Sequence, residues 1–263
     1  MILDNYTTSK GSEVPYYRFP FLARQDRIFH GVFTRHGGVS RRPYDSFNMA
    51  FNVGDHPKDV ENNLDILREV VGAEKLIFMN QLHGRDILVL QREKGPEIRS
   101  GVHADAMITD IPYLGLMVKQ ADCQAVILFD PVKKVISNVH CGWRGNVLNI
   151  LGAVVQRMRT VFNCRGSDLI ACISPSLGPC CAEFVTYEDI FDQDLRRHMI
   201  HPTYFDLWEM SRVQLAEAGL EEDNIRVAGI CSKCNTDLFF SYRAEGTTGR
   251  SATVVMLKPE HSK

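Results

Sequence analysis

Imidazole and thiol side chains gather in three short segments of this chain: Asn80-Gln81-Leu82-His83-Gly84, Ala121-Asp122-Cys123-Gln124 and Val139-His140-Cys141-Gly142-Trp143-Arg144-Gly145. Each sets a metal donor beside a glycine or a polar turn. The last two are related by arithmetic. The apolar runs Val126 to Phe129 and Val135 to Val139 flank Asp130-Pro131-Val132-Lys133-Lys134, and proline suits a turn but not a central ladder. A hairpin centred near Pro131–Val132 sets Cys123 opposite His140, within a slip of one or two residues. Pro131 disfavours the tightest turns, so the register stays open. Opposed residues in a ladder lie about 5 Å apart, which suits one zinc ion held by sulfur and nitrogen at about 2.0–2.3 Å. His83 completes three protein ligands and leaves a fourth position for water or substrate, the pattern of a catalytic zinc. On spacing alone, two satisfied core histidines and a packed cysteine fit at least as well.

Neighbours on a strand face opposite sides, so Asp122 is expected to support the fold rather than bind metal. Two further cysteine groups stand apart: the vicinal pair Cys180-Cys181 and Cys231-Ser232-Lys233-Cys234. Together they have the donors for a structural zinc, but vicinal cysteines are poor partners on one tetrahedron. Packing is the expected role, ahead of a redox pair.

The elements that must position these groups are ordinary ones. The 263 residues are 44% hydrophobic and 24% charged, a globular composition that excludes a disordered or fibrous chain. With 30 basic and 32 acidic residues the net charge is −2, which argues against a surface that grips nucleic acid or anionic lipid. No run approaches the roughly 18 apolar residues of a membrane span. Residues 1–10 lack the apolar core of a secretion signal, so a cytoplasmic location with mostly reduced cysteines is expected.

Residues 1–27 read as a leader, loose over 1–20, and 28–263 as one catalytic domain. Strands are predicted at Ile28 to Thr34, Leu76 to Leu82, Asp86 to Gln91, Tyr113 to Lys119, Ala125 to Asp130, Val135 to His140, Leu169 to Ser174, Leu238 to Tyr242 and Ala252 to Leu257. Helices are predicted at Asp59 to Val71 and Asn146 to Phe162, with apolar residues recurring on one face, and at Asp206 to Ala218, with Gly219 just past its end. The mixture lacks a strict βαβ rhythm and predicts an α+β fold with mixed β-sheets flanked by helices. Walker, G-x-G-x-x-G and H-E-x-x-H patterns are absent, so the chemistry falls to the histidines and cysteines.

The three segments resemble the motifs of the laccase-domain family of the YfiH type, first labelled polyphenol oxidase and later purine nucleoside phosphorylase. Phe33-Thr34-Arg35-His36-Gly37-Gly38-Val39-Ser40, Pro43-Tyr44-Asp45-Ser46-Phe47-Asn48, Val53-Gly54-Asp55, Ile173-Ser174-Pro175-Ser176-Leu177-Gly178, Phe239-Phe240-Ser241-Tyr242-Arg243 and Thr248-Gly249-Arg250 extend the likeness in order over about 28–257. The resemblance implies a toxin-deamidase-like α+β fold and a catalytic zinc on His83, Cys123 and His140, with copper a metal the site could take in vitro. Departures are modest: Cys141 stands where the family often has Ala, Gln124-Ala125 follows the motif cysteine, and Ala182-Glu183-Phe184 replaces a frequent Tyr-Glu-Val.

The implied activity is phosphorolysis of adenosine, inosine, guanosine and methylthioadenosine, with adenosine deamination beside it. A zinc-held water of lowered pKa accounts for deamination. Phosphorolysis needs cationic donors around phosphate, and Arg35, Arg144, Arg243 and Arg250 are the candidates, Arg35 and Arg144 first. By resemblance Ser46 lies near the nucleoside, with Asn48 second to it. The expected partners are purine nucleosides and phosphate, without nucleic acid or membrane, for a monomer or small homo-oligomer. The alternative is a Cys-His hydrolase editing peptidoglycan precursors, with Cys123 as nucleophile activated by His140. A multicopper oxidase is disfavoured, because nine histidines contain no H-x-H pair.

Overall fold

The computed structural model describes residues 1–92 and 101–259. Strand β1 (Ile2–Thr7), β2 (Glu13–Arg18), β3 (Ile28–Phe33), β4 (Lys75–Ile77), β5 (Ile87–Leu90), β6 (Ala106–Thr109) and β7 (Leu114–Gln120) make up the first half. The second half supplies β8 (Gln124–Asp130), β9 (Val135–Cys141), β10 (Ile170–Ile173), β11 (Met199–His201), β12 (Tyr204–Phe205), β13 (Ile225–Val227) and β14 (Ser251–Leu257). They build two six-stranded mixed sheets, ordered β1-β2-β3-β14-β7-β4 and β13-β10-β8-β9-β6-β5, plus the small β11-β12 hairpin.

The strand period of two sets the layers. On β7, Leu114, Leu116 and Val118 enter a core shared with Ala125, Ile127 and Phe129 of β8, so the sheets pack face to face. Met117 points the other way, under Leu67, Val70 and Val71 of the Pro57–Val71 helix. Val126 and Leu128 likewise meet Ile150, Leu151, Val154 and Met158 of the Ile150–Phe162 helix. The order is helix, sheet, sheet, helix: the α+β arrangement of mixed sheets that the pattern predicted. Because both faces are covered, the central strands read as continuous apolar runs. Among the described residues no helix is long and apolar enough to cross a membrane.

Four expectations are corrected. Residues 1–20 are not loose: β1 and β2 pair in register from Ile2↔Arg18 to Thr7↔Glu13, and β2 joins β3. The helix expected from Asn146 is broken. Trp143–Val147 ends before Asn149, which takes a left-handed φ of 48° and caps the Ile150–Phe162 helix by accepting from the Gly152 amide. Of Leu76 to Leu82 only Leu76 and Ile77 are strand, because the following loop turns toward Asp105. Leu238 to Tyr242 is no strand, since Ser241 caps a short Tyr242–Glu245 helix.

Candidate metal centre and active site

The β8–β9 hairpin turns over residues 131–134, with Asp130 Oδ1 accepting from the Val132 and Lys133 amides. That four-residue turn opposes Asp130 to Val135 and so Ala125 to His140 and Gln124 to Cys141. The register lies two residues from the arithmetic centre. Cys123 therefore sits just beyond the ladder, at its open end. Alternation sends His140 to the face between the sheets with Asn138 and Ile136, and sends Cys141 to the opposite face, into the core beneath the helix. That is why His140 and not Cys141 reaches the site.

His83 arrives on the loop after β4, in a left-handed conformation with φ 58°. One carboxylate organises the loop. Asp105, immediately before β6, accepts from the backbone amides of Leu82 (3.2 Å), His83 (2.9 Å) and Gly84 (2.7 Å) and from Nδ1 of His140 (2.8 Å). With Nδ1 so engaged, Nε2 is the ring nitrogen His140 has left for a ligand. His83 Nε2 lies 3.7 Å from Cys123 Sγ, and one donor atom from each of His83, Cys123 and His140 falls within 4.8 Å of the others. Gly142 leaves them room: a Cβ there would lie 2.8 Å from the Cys123 sulfur.

The electrostatics match this grouping. Burial raises the Cys123 thiol, but the neighbouring His140 and His83 outweigh it and bring it down to about 6. Burial works against a charged His140, yet Cys123 and Asp105 lift it to about 9. Burial raises Asp105 too, and the His140 ring with the Gly84 and His83 amides reverses this to a net lowering. Two imidazoles and one readily ionised thiol, with the buried imidazole oriented by a carboxylate, are a donor set that fits a zinc ion.

The three donors line a cavity of about 860 Å³, together with Trp143, Phe184 and Tyr242. Among the candidate arginines, Arg243 and Arg250 stand on its wall, joined by Lys119. Burial and the nearby Arg250 lower Lys119, and burial lowers Arg250. Asp122 stands on the same wall and works to raise Arg250, while the Arg243 guanidinium donates to the Glu183 carbonyl and that of Arg250 to the Thr248 and Gly249 carbonyls.

The remaining candidates lie off that wall. The Arg35 guanidinium donates to Glu245 (2.9 Å) and the carbonyls of Asp45 and Thr236, stacked on Phe240. Ser46 Oγ accepts from the Gly38 amide and donates to the Arg35 carbonyl. Asn48, fully buried, holds Ala50 and Asp55 and accepts from the Arg250 amide, so it positions Arg250 through the backbone. Arg144 stacks on Trp143 and is not part of the cavity lining. Asp122 is structural as expected, its carboxylate accepting from Ser232, Ser241 and the Arg243 amide. Asp105 and Lys119 were missed. Their signals are an acid set between alanines before an apolar run, and a lysine near the end of one, both costly to bury unless they do something.

The profile of the family described as "Multi-copper polyphenol oxidoreductase laccase" matches residues 29–258. The chain belongs to the laccase-domain family of the YfiH type. A relative from Geobacillus stearothermophilus, named purine nucleoside phosphorylase YlmD, is 33% identical over 250 residues, covering 88% of this chain and 90% of its own. A purine nucleoside phosphorylase from Bacteroides thetaiotaomicron is 31% identical over 257 residues, covering 90% and 94%. The crystal structure of Bacillus licheniformis YfiH, 26% identical, superposes with a TM-score of 0.83 over 96% of this chain and 97% of its own.

Proposed function

We propose that this laccase-domain protein is a zinc-dependent purine nucleoside phosphorylase acting on adenosine, inosine, guanosine and methylthioadenosine, and that it also deaminates adenosine. The observation that carries the reading is the convergence of His83, Cys123 and His140 at a cavity walled by cationic side chains and aromatic rings. Relatives named purine nucleoside phosphorylase support the substrate class. When bound, zinc supplies Lewis acidity and a water of near-neutral pKa.

The chain's own residues divide the rest. Asp105 holds the His140 ring and the His83 loop in place. In phosphorolysis a phosphate oxygen bonds to C1′ as the C1′–N9 bond breaks, and the bonding pair leaves with the purine, which takes up a proton. Lys119 and Arg250, with Arg243 beside them, provide the positive charge to hold phosphate for that attack. Trp143, Phe184 and Tyr242 offer faces to a purine. In deamination water adds at C6 and ammonia leaves, so phosphate is not consumed.

The two routes separate by nucleophile. Protein of known zinc content is given adenosine with and without phosphate. Adenine and ribose 1-phosphate are expected only with phosphate, inosine in both, and neither after strong chelation or in Cys123→Ser. Full turnover by metal-free protein overturns the zinc reading.

The chain of contacts from Asp105 to His140, with Cys123 beside the ring, favours one second reading. A cysteine beside an oriented base is the arrangement of a thiol nucleophile, so a Cys-His hydrolase editing peptidoglycan precursors is its form here. A metal-free enzyme that alkylating agents stop through an adduct on Cys123 is its signature. The oxidase in the family's description has less support. Further coppers need further histidine clusters, and among the described residues His83, Cys123 and His140 are the one histidine-containing group able to hold a metal.

A further inference from the structure

Cys180, Cys181, Cys231 and Cys234 are far apart in sequence, yet one sulfur from each lies within 4.8 Å of the other three. Cys234 Sγ is 3.5 Å from that of Cys181 and 3.7 Å from that of Cys180, and all four are free thiols. Zinc binds thiolate sulfur at about 2.3 Å, so the edges of its sulfur tetrahedron are about 3.8 Å long. The spacing is that of sulfurs around one ion, and well above the roughly 2.05 Å of a disulfide.

The backbone imposes this convergence. The segment after β10 and the segment after β13 run side by side: Ser176 bridges Cys231, the Ser176 amide donates to the Ile230 carbonyl, and the Ser232 amide donates back to Ser176. Turns then bend each cysteine pair to the same side. The Cys181 and Ala182 amides both donate to the Gly178 carbonyl, and Asn235 Nδ2 donates to the Cys231 carbonyl. Gly178 is required where the segments touch, since a Cβ there would lie 2.9 Å from the Cys231 Cβ. Its amide instead donates to the Cys231 sulfur at 3.3 Å, a contact that favours thiolate over thiol. The steric objection to vicinal cysteines is met because Cys180 and Cys181 lie in a tight turn and both sulfurs reach Cys234.

We infer that Cys180, Cys181, Cys231 and Cys234 form a second, structural zinc site with four thiolate ligands, separate from His83, Cys123 and His140. Binding forms four zinc–sulfur bonds and releases the thiol protons to solvent; no electrons move. A closed four-ligand set leaves no position for substrate. The role that follows is mechanical. One of the clamped segments carries Leu177 and Phe184 and the other carries Tyr242 and Arg243, all on the cavity wall.

The test counts metal with the first site disabled. Reduced His83→Ala and Cys123→Ser proteins are each loaded with zinc, dialysed and analysed by metal content and zinc-edge X-ray absorption. One zinc per chain with four sulfur neighbours is expected in both, against two per chain in the unaltered protein. Cys234→Ser in the Cys123→Ser background is expected to hold none. Either first-site variant suffices if the other fails to fold. No retained zinc, or zinc with mainly oxygen and nitrogen neighbours, overturns the assignment. So does native protein whose mass shows a disulfide among these four residues. Loss of zinc from the first site alone would strike the proposed catalytic reading and leave this one standing.

Discussion

Oδ1 of Asp105 accepts a hydrogen bond from Nδ1 of His140 at 2.8 Å while the same atom receives the His83 backbone amide at 2.9 Å. One carboxylate thus couples the orientation of one histidine to the placement of the other. Partners of this kind raise the basicity of a ligating imidazole and fix its free nitrogen.

Asp105→Asn tests that coupling. An amide presents one oxygen, and its NH2 faces donors on the other side, either the His140 ring or the Leu82 and Gly84 amides. Zinc affinity at the His83 site is expected to fall about 10- to 100-fold, with activity falling alongside. A chelator competition titration reads the affinity directly. Unchanged affinity shows that Asp105 only shapes the loop.

Lys119 and Arg250 repel one another on the cavity wall, where the Asp122 carboxylate is already engaged by Ser232, Ser241 and the Arg243 amide. Lys119→Ala or Arg250→Ala is expected to raise the KM for phosphate about 10-fold or more, the scale of one lost charged hydrogen bond, with less change in the KM for nucleoside. Arg35→Ala is expected to act elsewhere. Its guanidinium is one-tenth exposed and already holds Glu245 and two carbonyls, so its loss should cost about 2–4 kcal/mol of stability. Steady-state rates at varied phosphate, beside denaturant midpoints, distinguish the two. Phosphate dependence lost in Arg35→Ala and kept in Arg250→Ala reverses the assignment.

The legible part of the fold is the part governed by period. The apolar runs of β7, β8, β9 and β14 and the three long helices announce themselves, because a face buried in a sheet or under a helix must repeat. The hairpin argument reached the right neighbourhood but left the register open within one or two residues, since nothing local distinguishes a turn over 131–134 from a tighter one; the observed register falls two residues away, inside that range. What stayed hidden rests on single polar contacts between distant residues. Asp105 looks like any acid before a strand until His140 is folded onto it, and the hydrogen-bonding duties of Arg35 depend on Thr236 and Glu245, some two hundred residues away. β1 and β2 escaped because a partly exposed edge hairpin has little apolar repeat to display.

Asn138 lies on β9 between the sheets and donates from Nδ2 to the Leu116 carbonyl at 2.9 Å and the Thr253 carbonyl at 2.8 Å. It is a polar tie between the sheet that carries His140 and the sheet that carries Lys119. Asn138→Ala removes both donors from a buried interface and is expected to destabilise the fold by about 1–3 kcal/mol. Urea unfolding followed by two independent probes measures this, and an unchanged midpoint shows that the apolar contacts alone set the sheet packing.

His30 on β3 gives a stability signature far from the active site. Its Nε2 accepts the Phe19 amide at 2.9 Å, which requires the unprotonated ring. Burial, helped by the nearby Arg18 charge, depresses it to about 3 from its ordinary 6.5. Between those values the unfolded chain holds a proton at this residue and the folded chain does not. Stability therefore rises with pH through that window and is lost on acidification below about 6.5, at up to about 1.4 kcal/mol per pH unit. Above 6.5 both states are neutral and the slope from His30 vanishes. His30→Gln keeps an acceptor for the Phe19 amide without a titrating group. Denaturant midpoints of the two proteins should hold a constant offset from pH 8 to 7, then converge as the pH falls toward 5. Parallel curves over that range would show that His30 protonates in the folded protein as readily as in the unfolded one.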